Sequence, residues 1–281
     1  MVTPAPRSPG ARSMPDPLLD PETRPRGLPP ALIAIGVIGG IAMLLLTAML
    51  LVLRFTRETS TEEHRYRGIS ALTIAAHDGD IELVTAPAGA PLRVEERITK
   101  EIWAPKVHRE RTGSRLRLRS ECPAMPIASC EIRFRVEVPA GTAIDVSSDS
   151  GDVVARGLRS DVPVSLRSDS GELRVESLTA PALRLDADSG DVRGDELRVP
   201  DVVAKADSGE VDLALTVPLR RLSAIADSGD VRVALPDAVY ALTASTDSGD
   251  VHDDGVRRDP RSSRRVELRT DSGDVRIEVR R

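Results

Sequence analysis

The chain has 281 residues, 40% of them hydrophobic, which is room for one or two domains with a real core. Aromatic residues make up only 2%, so Val, Leu, Ile and Ala must fill the interior, which suits a narrow, regular core. The net charge of −5, with acids and bases interspersed, excludes a nucleic-acid footprint, and 36 Arg against 3 Lys reads as the codon usage of a GC-rich, bacterial-type genome.

Residues 1–30 are rich in Pro and Arg, poor in β-branched side chains, and predict a disordered tail. From Ala31 to Leu53 there are 23 residues without a charge, enough to cross a hydrocarbon core of about 30 Å at about 1.5 Å per residue. This predicts one transmembrane helix over 31–53, followed by a polar stalk over 54–68. A short basic tail belongs in the cytoplasm, although Arg54, Arg57, Arg65 and Arg67 after the span outnumber Arg24 and Arg26 before it.

Residues 69–140 are strand-rich without a repeat and are expected to cap the periodic region after them. "PLRVEERITKEIW", "RLRLRSEC" and "CEIRFRVEVP" alternate polar and apolar residues, and Thr112-Gly113-Ser114 reads as a hairpin turn. Cys122 and Cys130 bracket a short loop between two of these strands and are expected to form a disulfide. Disulfides persist outside the cytoplasm, which places the C-terminal part there.

Over residues 141–281 the phrase Asp-Ser-Gly followed by Asp or Glu recurs, starting at Asp149, Asp169, Asp188, Asp207, Asp227, Asp247 and Asp271. Successive copies stand roughly 20 residues apart, with a longer last interval from Gly249 to Gly273. A degenerate copy, "HDGD", starts at His77. Counting from each glycine (Gly151, Gly171, Gly190, Gly209, Gly229, Gly249, Gly273), aliphatic residues stand at +2 and −7, and a small residue always stands at −3. This alternation marks strands with one buried face. The phrase reads as a corner in which Gly adopts a positive φ and the Asp two residues earlier accepts its N–H. Pro163, Pro181, Pro200, Pro218 and Pro236 mark a second corner about halfway between the glycines. Two unlike corners per repeat favour a β-solenoid, parallel β-helix-like, in which like strands stack about 4.8 Å apart, over an antiparallel sandwich.

Catalytic readings fare poorly against this architecture. Each Ser of the repeat lies in a corner, no His recurs beside it, and there is no G-x-S-x-G elbow. Stacked corner Asp residues would form acidic rows that calcium could relieve, but Arg174, Arg193, Arg232 and Arg276 fall where they could neutralise the acid after the Gly. No cofactor is therefore expected, with calcium as the lesser reading. Arg193-Gly194-Asp195 places its Gly at an inward strand position, unsuited to an adhesion loop. Of His64, His77, His108 and His252, none has ligand spacing.

"VEVPAGTAIDVSSDSGDVVARGL", residues 136–158, followed by more SGD-type turns, resembles the putative-adhesin family, bacterial membrane-associated β-strand-repeat proteins with a domain of unknown function. The resemblance covers most of residues 69–281 and implies a solenoid-like envelope domain with no catalytic residues to carry over. The expectation is a non-enzymatic plasma-membrane protein, single-pass with its N-terminus cytoplasmic, displaying the solenoid to an envelope protein or wall polymer and not to nucleic acid. A signalling accessory that senses the envelope, and a carbohydrate-active enzyme on a β-helix, are the alternatives.

Overall fold

The computed structural model describes residues 30–55, 58–100, 105–122 and 131–280. The predicted tail, apart from Pro30, and Cys130 lie outside them. The chain divides into two compact units, Met1–Val52 and Leu53–Arg281.

The helix Pro30–Phe55, 26 residues long, lies in the first unit except for its last three residues, which fall in the second. Its side chains are described over residues 35–50, all exposed, with Ile38 at 67% and Met43 at 71%. Among the described residues no helix is long and apolar enough to cross a membrane.

Beyond Phe55 the second unit is all β, with two sheets of eleven strands each among the described residues. Its repeating element is a layer: one strand enters a glycine corner in the first sheet and another leaves it in the second. In the Gly151 layer these are Ala143–Ser150 and Val153–Arg156; in the Gly171 layer, Val164–Ser170 and Leu173–Glu176. Corresponding strands pair in parallel, Leu166 against Val146 and Leu185, Leu173 against Val153 and Val192. The aliphatic columns at +2 and −7 then stack into one continuous core, with Val153, Leu173, Val192, Val211, Val231 and Val275 all at 0% exposure. The prolines Pro163, Pro181, Pro200 and Pro218 lie just before entering strands, and Pro236 ends a leaving strand.

The stack departs from chain order at both ends. After the Gly229 layer the chain forms the Gly249 layer (Val239–Ser248 and Val251–Asp254) one place too far out. It then turns back through Arg257–Arg258 and inserts the Gly273 layer (Arg265–Ser272 and Val275–Arg280) between the two. The longer interval between Gly249 and Gly273 supplies the chain for this return. At the other end the region expected to be only a cap already contains a layer, Ala71–Ala76 and Ile81–Thr85, whose corner is Gly79. Outside it Arg115–Glu121 and Glu131–Val138 add one more parallel layer.

Direction then reverses. Lys106–Thr112 runs antiparallel to Arg115–Glu121 across the Gly113 turn, and Leu92–Lys100 runs antiparallel to Glu131–Val138. The stretch expected to be a stalk carries the outermost strand, Glu58–Tyr66, antiparallel to Leu92–Lys100. On one face Ser60, His64 and Tyr66 are half-buried and Glu62 is exposed, all polar or only partly apolar, so no hydrophobic alternation announced it.

Candidate functional site

The glycine corner sets the geometry of everything exposed. A Cβ on Gly171, Gly190, Gly209 or Gly229 would stand 2.2 Å from the carbonyl oxygen of the preceding layer's glycine. Only glycine permits layers to approach this closely. The expected Asx-type bond is replaced by a ladder: the N–H groups of Gly79, Gly151, Gly171, Gly190, Gly209, Gly229 and Gly273 donate to Ser150, Ser170, Ser189, Ser208, Ser228, Ser272 and Ser248 carbonyls of the next layer, at 2.9–3.2 Å. Positive φ is found at Gly151, Gly209, Gly229, Gly249 and Gly273 but not at Gly171 or Gly190. Close approach is thus the more general requirement. The small residues at −3 pack under the ridge, and Thr270 Oγ1 donates to the Gly229 carbonyl at 2.7 Å.

The Asp side chains released from the corner form one exposed to half-buried row in the order Asp149, Asp169, Asp188, Asp207, Asp227, Asp271, Asp247. Basic side chains interrupt it. His77, which replaces Asp in the degenerate copy, meets Asp149 at 2.7 Å; Arg167 lies 3.9 Å from both Asp169 and Asp188; Lys205 pairs with Asp207; Arg269 contacts Asp271 at 3.0 Å and Asp247 at 3.8 Å.

The acids that follow the glycines form a second row, and here Asp and Glu behave differently. Asp152, Asp191, Asp230 and Asp274 accept the N–H of Glu172, Glu210, Asp274 and Asp250 in the next layer, each at 2.9 Å. The longer Glu172 and Glu210 reach arginines instead. Arg193 joins Glu172 at 2.5 Å to Asp191 at 2.7 Å, and Arg232 joins Glu210 at 2.5 Å to Asp230 at 2.6 Å. Burial opposes the charge of Glu172, but hydrogen bonds from Arg193 and Arg174 outweigh it and hold the carboxyl below its usual range. The expected neutralisation is present at Arg174, Arg193 and Arg232.

Gly194 is buried within the strand Val192–Leu197, where a Cβ would stand 2.7 Å from Leu197 Cδ1, so the Arg-Gly-Asp triplet forms no loop tip. Cys122 is disulfide-bonded. A left-handed residue recurs at the second corner in three successive layers, Gly157, Ser177 and Glu196, at φ 58, 55 and 53°. Neither Ser nor Glu signals that conformation in sequence.

At the antiparallel end lies a polar cluster of another kind. Glu62 and Glu96 face each other directly across paired strands. Such a pairing of like charges is unfavourable without a cation, and Arg109 supplies it from the other sheet. Its Nε donates to Glu96 Oε1 at 2.9 Å, its Nη2 contacts Glu96 Oε2, and the same Nη2 reaches Glu62 Oε2 at 3.0 Å. Glu96 is fully buried. Beside this clamp His64 Nε2 lies 3.4 Å from Glu62 Oε2, shielded from solvent and without a hydrogen-bond partner. The Tyr66 ring stands 6.4 Å from the His64 ring, and its phenol is pushed up by burial. The cluster draws on three strands that are well separated in sequence, so no local spacing reveals it.

The family model described as Toastrack DUF4097 matches residues 63–280. No curated protein matches the chain. Among solved structures, a putative adhesin from Bacteroides fragilis is 14% identical, with a TM-score of 0.44 over 79% of this chain and 97% of that one. A putative adhesin from Parabacteroides merdae is 11% identical with a TM-score of 0.39 (80% and 97%), and a putative lipid binding protein from Parabacteroides distasonis is 10% identical with a TM-score of 0.36 (80% and 97%).

Proposed function

The chain belongs to the Toastrack DUF4097 family, and from that premise we propose that it is a non-enzymatic, membrane-anchored surface protein whose solenoid serves as a rigid interaction surface. The uncharged run from Ala31 to Leu53 supports the anchor. The residues with described side chains, 35–50, are sixteen of the 26 in the helix, and all sixteen are exposed on every side of it. A helix apolar all round needs a nonpolar surrounding, and lipid provides one.

The observation that carries the reading is the pair of charged rows. Their acids recur once per layer and stay in register along the parallel strands, with Arg or Lys partners in several of the layers, on the outside of a dense aliphatic core. Such a surface suits a polymer or protein that offers charges in a repeating order, with a wall polymer or another envelope protein outside the plasma membrane as its partner class. Complementary charge of this kind sets specificity and encounter rate.

Isolated cell-wall sacculi provide the probe. The full chain in detergent is expected to co-sediment with them in a salt-sensitive manner, and the triple substitution R174E/R193E/R232E is expected to reduce retention at least about tenfold. Equal retention of the two proteins would remove the exit-strand row as the contact surface. Protease added to intact cells should cleave the solenoid; protection there, with cleavage after lysis, would reverse the proposed orientation.

A further inference from the structure

We propose that Glu62, His64 and Glu96 form a binding site for one divalent transition-metal ion of the zinc class, within the antiparallel end of the solenoid. One ring nitrogen of His64 and one carboxylate oxygen from each Glu lie within 4.8 Å of one another. This is a mixed nitrogen and oxygen donor set, converging from two paired strands. Imidazole favours zinc-class ions over calcium or magnesium, which take all-oxygen shells.

The independent observation is the state of His64. Its Nε2 is shut off from solvent and has no hydrogen-bond partner, although such a nitrogen normally bonds to something. Glu62 Oε2, at 3.4 Å, is too distant for a good hydrogen bond. A metal would satisfy the nitrogen and draw the three donors in to about 2.0–2.2 Å. Arg109 fits as the outer partner, since its bonds to both Glu96 oxygens orient that carboxylate, as outer-shell groups do at metal sites. Three protein donors leave the fourth position of a tetrahedral ion for water, so the site would be an open one. It also joins the outermost strand Glu58–Tyr66 to its neighbour, so the ion would lock the end of the stack.

The test uses the full chain in detergent, titrated with Zn2+ by calorimetry and with Co2+ by absorption spectroscopy. One equivalent of Zn2+ is expected, with Co2+ giving the visible bands of a four-coordinate ion. His64→Gln and, as a more exposed change that leaves the buried Arg109–Glu96 pair intact, Glu62→Gln are each expected to weaken Zn2+ binding at least about tenfold. The triple variant H77Q/H108Q/H252Q, which removes every other histidine, should bind as the parent does. Absence of saturable binding, binding unchanged in both single variants, or loss of binding in the triple variant would each overturn the proposal.

Discussion

The two ends of the solenoid solve one problem in different ways. A stack of parallel strands must stop somewhere, and its last strand offers unpaired backbone groups to any other chain. At the N-terminal end the chain reverses direction, laying Leu92–Lys100 and Lys106–Thr112 antiparallel on the outermost parallel layer and Glu58–Tyr66 beyond them. Ile132, Phe134, Leu92 and Val94 remain fully or almost fully buried beneath this cover. Beside them stands the buried Glu96, with the Arg109 side chain half-buried and Glu62 exposed around it. Among the described residues the C-terminal end has almost no cover, Arg257–Arg258 pairing there with Val239 and Tyr240. Val251, whose equivalents in the inner solenoid layers are wholly buried, is 42% exposed. Asp253 there occupies the column held by Val175, Leu213, Val233 and Ile277 elsewhere, and accepts from the Val256 N–H at 3.0 Å and Arg258 Nε at 2.8 Å. One end is closed by added strands, whereas the other is blunted by an inward charge.

The covered end should therefore be the more sensitive to loss of its charge partner. Arg109→Ala leaves Glu96 buried without a cation, and the expected loss of stability is about 3–5 kcal/mol. Chemical denaturation of the full chain in detergent measures it. Replacing the pair together, R109M/E96L, should recover most of that loss, since two apolar side chains of similar volume need no mutual charge. If the single variant unfolds at the same denaturant concentration as the parent, the clamp is not what holds the end closed.

An identical change in the glycine ridge can then be made at both ends. A methyl on Gly79 would sit 1.7 Å from the Ile132 carbonyl oxygen, in a layer held by the antiparallel strands beyond it. On Gly249 it would sit 2.1 Å from the Gly273 carbonyl oxygen, but among the described residues no full layer lies outside to resist a shift. Gly79→Ala is expected to cost about 3 kcal/mol or more, and Gly249→Ala about 1–2 kcal/mol, because the outer layer can move away. Equal losses would mean that the open end is as rigid as the covered one.

Much of the middle was legible because its physics is local and repeated. An alternating Val or Leu beside a glycine that recurs once per layer dictates both strand and corner, and parallel stacking follows once the two corners differ. The ends were not legible for the opposite reason. Insertion of the Gly273 layer inside the Gly249 layer leaves only one lengthened interval as its trace, and Val251 looks the same in sequence whether it faces a neighbour or solvent. The strand Glu58–Tyr66 places Glu62 and His64 on the face that meets Glu96 and Arg109, partners that no local pattern reveals. The Gly-Asp phrase suggested a corner closed upon itself, yet the ladder shows the Gly N–H and the following Asp both reaching to the next layer, a contact that no single repeat can reveal.

The smallest change in stability comes with the largest change in association. Asp253→Val restores an aliphatic residue to a column that is otherwise Ala, Val, Gly, Leu and Ile, and it removes the bonds to the Val256 N–H and Arg258. Loss of those bonds, about 1 kcal/mol, is roughly offset by the added apolar contact, so stability should change by less than about 1 kcal/mol. What disappears is the obstacle to another chain. With Leu242, Ala244, Val251 and the new Val side by side above an unpaired edge, a second copy could add its own last layer. Sedimentation velocity should then show a concentration-dependent increase in size for the variant relative to the parent, and Val251→Lys in the same chain should reverse it by returning a charge to the end. A variant that sediments like its parent at every concentration would show that the geometry of the last layer, and not the Asp253 charge, keeps that end from pairing.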